Sequence, residues 1–175
     1  NNREYLSQRL NKEKEYLSFI LGGPNKYYDY NEQNIKKVFD RVKNILKKNN
    51  LQAIIIPSMR TPKKIIDLSE SYFEKENLVI KDIDKKAYLS CLSLAKYIVV
   101  TCDSTSMISE AALTGKPIYI AEIPAKINDY RFRRFRDLFA KLNIVKNLDE
   151  KVEIWNYEIL DETNRIAKEI KRKIS

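Results

Sequence analysis

"YIVVTCDSTSMISEAALTGKPIYIAEI", residues 97–123, carries a strand, a helix and a second strand in one unbroken run. "YIVVTC" (97–102) is continuously apolar, the mark of a strand buried on both faces. Asp103 and Ser104 then offer helix caps. A helix is expected from about Thr105 to Thr114, with Gly115 placed for a left-handed C-terminal cap. "PIYIAEI" (117–123) is apolar again. Two buried strands joined through a helix run parallel, with a right-handed crossover.

The same alternation continues on both sides. "YLSFIL" (16–21) reads as a strand ending at Gly22-Gly23-Pro24. Asn31 can cap a helix over about 32–49, with Ile35, Val38, Phe39, Val42, Ile45 and Leu46 on one face. "AIIIP" (53–57) is a buried strand, followed by a helix from about Pro62. "LVI" (78–80) is a short strand. Residues 85–95 read as a helix through Tyr88, Leu89, Leu92 and Ala95. Residues 131–142 form an amphipathic helix with a stripe of Phe132, Phe135, Leu138, Phe139 and Leu142, leaving the arginines on the other side. Residues 2–15 and 161–174 read as helices at either end. The pattern predicts an α/β fold: a Rossmann-like parallel sheet of about five strands, ordered 3-2-1-4-5, with helices on both faces.

Composition narrows the function classes. The chain has 175 residues, with 33 basic against 24 acidic and a net charge of +9, which suggests an anionic partner. Lysines are scattered, as an AT-rich genome would scatter them, but four of the ten arginines fall between Arg131 and Arg136. No histidine is present, so histidine bases and ligands are excluded, and no Cys/His cluster suggests zinc. The expected metal set is none. Cys91 and Cys102 form no C-x-x-C pair, which fits a reduced, cytoplasmic setting. No run reaches membrane-spanning length, and the opening residues do not resemble a signal peptide. No RNA- or DNA-binding signature accompanies the basic residues, so nucleic acid is not expected as a partner.

In the 3-2-1-4-5 order the direction of winding reverses between strands 1 and 4, and ligands bind such sheets at the carboxyl ends beside that switch point. Four unusual loops fall there. "LGGPNK" supplies Gly22, Gly23 and Asn25, where the backbone can approach a ligand closely. It lacks the dinucleotide and NTPase fingerprints. "PSMRTP" supplies Arg60 and Thr61 for phosphate. "CDSTS" offers Ser104, Thr105 and Ser106 with the free amides of a helix tip, suited to a diphosphate. Glu110 lies further along that helix, where it can accept from a ribose hydroxyl pair. "RFRRFRDLF" places Arg131, Arg133 and Arg134 for phosphate or for an anionic membrane. Each has a plain structural alternative: tight turns, N-caps, and a helix that packs on its own domain. Asp29, Asp103, Glu110 and Glu122 lie near the rim without forming an acid/base pair by spacing.

"LGGPNKYYDYNEQN", "PSMRTP", "TCDSTSMISEAALTGKPIYIAEIP", "RFRRFRDLF" and "DETNRIA", in this order, resemble the C-terminal half of the mitochondrial-fission "elongated mitochondria" family and its bacterial relatives. More remotely, "ISEAALTGKP" resembles the donor-domain helix of GT-B glycosyltransferases. That resemblance implies a ribose role for Glu110, a phosphate role for Ser104 to Ser106, and a glycine loop at Gly22 and Gly23. It also implies a missing N-terminal domain, with residues 1–15 a helical linker from it and 16–175 the GT-B-type C-terminal domain. Asp103 departs from the glycosyltransferase pattern, because a carboxylate facing a diphosphate repels it. Two functions follow. One is a nucleotide-sugar-binding lobe of a metal-independent glycosyltransferase-type protein, with no cofactor and inactive alone. The other is a non-catalytic scaffold or recruitment module at a membrane surface, such as the inner membrane, or on a protein partner. The tyrosine–lysine pair of short-chain-type epimerases is not evident.

Overall fold

The structure, a computed structural model, describes residues 3–73 and 76–160. Its strands are β1 (Glu15–Leu21), β2 (Leu51–Pro57), β3 (Leu78–Val79), β4 (Tyr97–Thr101), β5 (Ile118–Ala121) and β6 (Val145–Asn147). They form one parallel sheet in the order β3-β2-β1-β4-β5-β6. The expected order therefore holds, with a sixth strand added at the edge. β6 has three residues, too few to show a period in the sequence. β2 and β4 are buried at every position, which is why they read as unbroken apolar runs.

The helices are α1 (Glu4–Ser7), α2 (Glu32–Asn49), α3 (Lys63–Phe73), α4 (Lys85–Leu94), α5 (Thr105–Ala112) and α6 (Tyr130–Lys141). In α2 the Asn31 side chain accepts from the Gln33 N–H, and Asn50 closes the helix in the left-handed region at φ 50°. Its six expected core residues are all buried. Phe19 of β1, Phe39 of α2 and Phe73 of α3 meet edge to face, with centroids 5.1–6.2 Å apart. α5 ends at Ala112, two residues short of expectation, and Gly115 does take a positive φ of 69°.

Three expectations are corrected. Residues 2–15 are not one helix: α1 spans four residues and turns follow. The Asn11 side chain accepts from the Glu13 N–H, an Asx turn that offers the backbone an alternative to helix. Leu6 and Leu10 are buried there, and the Leu6 N–H donates to Ser90 Oγ of α4. On α4 the buried face is Ala87, Ser90, Cys91 and Leu92, while Leu89 is exposed. On α6 the stripe holds only in part: Phe139 is buried and Phe132 and Phe135 pack against the core, but Leu138 and Leu142 face solvent, and Arg136 is buried on the inner side. The helix expected over 161–174 lies outside the described residues, as does "DETNRIA".

Candidate functional site

The loops after β1, β2, β4 and β5 do come together at the carboxyl edge of the sheet, and Asp103 joins the first three of them. Its side chain is 0% exposed. Oδ2 accepts from the Gly23 N–H at 3.0 Å and from Arg60 Nη2 at 3.0 Å. Oδ1 accepts from the Tyr30 hydroxyl at 2.6 Å, and that hydroxyl lies 2.8 Å from Thr101 Oγ1. The Gly22 N–H donates to the same Thr101 oxygen at 2.8 Å. Burial first, then the carboxylate, hold the Tyr30 phenol well above its ordinary pKa.

Five of the expected phosphate-binding residues are bonded within this cluster. A Cβ on Gly22 would lie 2.2 Å from Asp103 Oδ2, and one on Gly23 would lie 2.1 Å from the Arg60 carbonyl oxygen. The two glycines thus admit Asp103 and the Arg60 backbone. Arg60 Nη1 also donates to the Gly23 carbonyl at 2.7 Å. Thr61 is buried and donates to the Gly22 carbonyl at 2.6 Å. Asn25 accepts from the Tyr27 and Tyr28 N–H groups and donates to the Asp103 carbonyl. The result is a rigid floor under the rim, with Arg60, 41% exposed, as its one solvent-facing charge.

Above that floor stands the tip of α5. Ser104 is the N-cap, its Oγ accepting from the Met107 N–H at 3.4 Å. Ser106 is exposed, Thr105 half-buried, and the Ser104 and Ser106 hydroxyls lie 3.3 Å apart. Helix geometry leaves the Thr105 and Ser106 N–H groups without an intrahelical acceptor. Glu110 is exposed on the same helix, and its Oε2 accepts from the Tyr88 hydroxyl of α4 at 2.7 Å. The sequence showed Tyr88 only as a core-facing position.

The loop after β5 is fastened by a second buried network. Arg136 of α6 is 8% exposed. Its Nη1 donates to the Tyr28 hydroxyl at 3.0 Å and to the Cys102 carbonyl at 3.2 Å, and Nε pairs with Glu122 at 3.2 Å. Tyr28 in turn donates to Asp129 at 2.5 Å. Burial opposes the Asp129 charge, but the bond from Tyr28 and the nearby arginines hold its pKa below the ordinary value. Arg133 Nε pairs with Asp129 at 2.9 Å, while Arg131 and Arg134 stand exposed. Asp29 pairs with Lys126 at 2.8 Å. Arg136, Tyr28 and Tyr30 escaped the sequence reading. The cluster "YYDY" (27–30), directly after the glycine loop, was the available signal. Among the described residues no three Cys, Asp or Glu side chains gather as metal ligands do, and no helix is long and apolar enough to cross a membrane.

A family model described as Mitochondrial fission ELM1 matches residues 1–174. An uncharacterised protein of Rickettsia prowazekii is 31% identical over 166 residues, covering 90% of this chain and 46% of its own length. The mitochondrial fission protein ELM1 of Arabidopsis thaliana is 26% identical over 160 residues, covering 89% and 37%. The chain thus spans less than half the length of these relatives. Among solved structures, the Neisseria meningitidis UDP-GlcNAc 2-epimerase bound to UDP-GlcNAc aligns with a TM-score of 0.54 at 13% identity, over 98% of this chain and 39% of that one. The Methanocaldococcus jannaschii UDP-GlcNAc 2-epimerase gives 0.54 at 15%, over 98% and 48%. Staphylococcus aureus MnaA, solved with UDP, gives 0.55 at 12%, over 90% and 37%. At such identities the likeness is one of fold, that of a Rossmann-like lobe in GT-B proteins.

Proposed function

The chain belongs to the mitochondrial fission ELM1 family, and on that premise we propose that it is the nucleotide-sugar-binding lobe of a GT-B-like, metal-independent glycosyltransferase-type protein. The observation that carries this reading is the state of Asp103. A solvent-facing carboxylate at the rim would repel a diphosphate; here it is fully buried, and Arg60 and the Gly23 N–H meet its charge. With the repulsion removed, the tip of α5 keeps its amides, its hydroxyls and its positive dipole end for an anion. The exposed Glu110 provides the acceptor for a ribose. Two structural neighbours were solved with UDP or UDP-GlcNAc, which supports a nucleotide sugar as the ligand class.

In this reading the lobe acts electrostatically. Helix-tip N–H groups and the Ser104–Ser106 hydroxyls stabilise charge that develops on a departing nucleoside diphosphate. Gly22, Gly23, Asn25 and Thr61 shape the floor rather than touch the ligand, and Arg60 adds long-range positive charge. A second domain supplies the acceptor side of the cleft. Calorimetric titration with UDP, GDP, ADP and CDP tests the proposal: one saturable affinity, lost in Glu110→Ala, is expected. Absence of binding to all four, in this chain and in the two-domain protein, would overturn it.

One observation favours the scaffold reading. The solvent face of α6 carries Tyr130 and Leu138, 59% and 53% exposed, alongside the exposed Arg131 and Arg134. Apolar side chains flanked by arginine suit an anionic membrane surface. Co-sedimentation with vesicles of anionic lipid, lost on charge reversal of Arg131 and Arg134, checks it; Arg133 is the poorer target because it is tied to Asp129.

A further inference from the structure

Glu110 and Tyr88 stand on different helices, and one hydrogen bond joins them, from Tyr88 Oη to Glu110 Oε2 at 2.7 Å. Glu110 lies at the surface, whereas the Tyr88 ring packs against the core. A glutamate free in solvent samples several rotamers and must be ordered by any ligand it binds. Tyrosine has only two side-chain torsions, and this ring is already held by packing. Its hydroxyl therefore fixes the carboxylate before a ligand arrives. Burial, and then the bond to Glu110, raise the phenol pKa far above neutrality, so Tyr88 remains a donor throughout the working range of pH.

The bond engages one carboxylate oxygen. Among the described residues no side chain donates to the other, Oε1, which keeps its acceptor capacity. Ser106 and Glu110 are four residues apart on α5, so they share a face, about 6 Å apart along the axis. A phosphate at the tip and a sugar further along the same face would meet these two residues in turn.

We propose that Tyr88 is a positioning residue for nucleoside recognition: it holds the Glu110 carboxylate so that Oε1 receives a ribose hydroxyl, and it thereby makes the site select ribose over sugars lacking those hydroxyls. This rests on the donor-lobe reading above. The competing account is that the bond only ties α4 to α5.

Titration of the wild-type chain, Tyr88→Phe and Glu110→Ala with UDP and with 2′,3′-dideoxy-UDP separates the two. Thermal melts of each variant confirm folding. The wild type is expected to bind UDP about tenfold more tightly than the dideoxy compound, the worth of a hydrogen bond to a charged acceptor. Tyr88→Phe should lose most of that ratio by weakening UDP binding alone, and Glu110→Ala should lose it entirely. A Tyr88→Phe variant that weakens both ligands equally, or neither, overturns the positioning role. A wild type that binds both ligands equally overturns the ribose contact while leaving the diphosphate site standing. A wild type that binds neither overturns Tyr88's role in recognising a uridine nucleotide, and the donor-lobe reading falls with it where GDP, ADP and CDP also fail to bind, in this chain and in the two-domain protein.

Discussion

A carboxylate buried at the mouth of a sheet is costly unless its charge is met, and Asp103 is met by three residues from two other loops. Arg60→Ala should therefore destabilise the chain by about 2 kcal/mol, below the full cost of breaking a buried pair because the arginine is partly exposed. Gly22→Ala should cost roughly 2–4 kcal/mol, since the added methyl has no room beside Asp103. Urea denaturation measures both, and wild-type midpoints in either variant would refute the account. These positions also mark how far the site was legible in the sequence. Gly22, Gly23, Asn25, Arg60 and Thr61 stand out as residue types that suit phosphate, and the strand order brings them to one edge as expected. That they bond to one another was not legible, because Arg60 and Asp103 are 43 residues apart and neither carries a mark of its partner. Ser104 to Ser106 and Glu110 are different: the helix that presents them is contiguous in sequence, so spacing alone locates them.

At the scale of elements, long periodic segments were readable and short or polar-anchored ones were not. α2 matches its expected bounds because six apolar side chains at helical spacing and a capping Asn31 agree. α6 misled because its period fits two faces, and the buried one is chosen by Arg136, whose partners Glu122, Asp129 and Tyr28 come from other elements. Arg136→Ala should cost about 3 kcal/mol or more, leaving Glu122 and Asp129 without their shared cation. Arg134→Ala, on the exposed side of the same helix, should change stability by no more than about 0.5 kcal/mol. Thermal melts of the pair test the assignment directly; equal losses would mean that α6 docks by another face. The segment before β1 makes a parallel case. Removing residues 1–13 strips Leu6 and Leu10 from the core and leaves Ser90 without the Leu6 N–H, which should cost roughly 3–5 kcal/mol. A truncated chain with an unchanged melting curve would show that α1 contributes nothing to α4.

For the whole molecule, the alternation of apolar runs and helical patterns determined the sheet order, because parallel strands with crossover helices admit few arrangements. Its titration behaviour could not be read that way, since it depends on which phenols and thiols the closed fold removes from water. Burial pushes the thiols of Cys91 and Cys102 up to about 12, and it raises Tyr28 and Tyr30 well above the ordinary phenol value. All four groups are nearly or fully buried. Each holds its proton more tightly folded than unfolded. Their contribution is thus complete below the unfolded pKa, near 9 for a thiol and 10 for a phenol, and is lost as pH rises toward the folded values. Lys116 runs the other way. Burial lowers its pKa to about 8, so the fold disfavours its charged form and gains stability as the lysine deprotonates, from pH 8 up to the ordinary lysine value. One lysine against four acids leaves a net loss above pH 10. At about 1.4 kcal/mol per pH unit for each group, the slope from these four acids reaches roughly 6 kcal/mol per unit once Lys116 ceases to offset them at the ordinary lysine value. A domain of ordinary stability, about 5–15 kcal/mol, should then unfold within roughly one to three pH units above pH 10. Circular dichroism and tyrosinate absorbance, followed together through an alkaline titration, give the outcome: Tyr28 and Tyr30 should ionise only as the helical signal collapses. A fold that persists while all eleven tyrosines ionise gradually would show that Tyr28 and Tyr30 are not held protonated by the closed edge of the sheet.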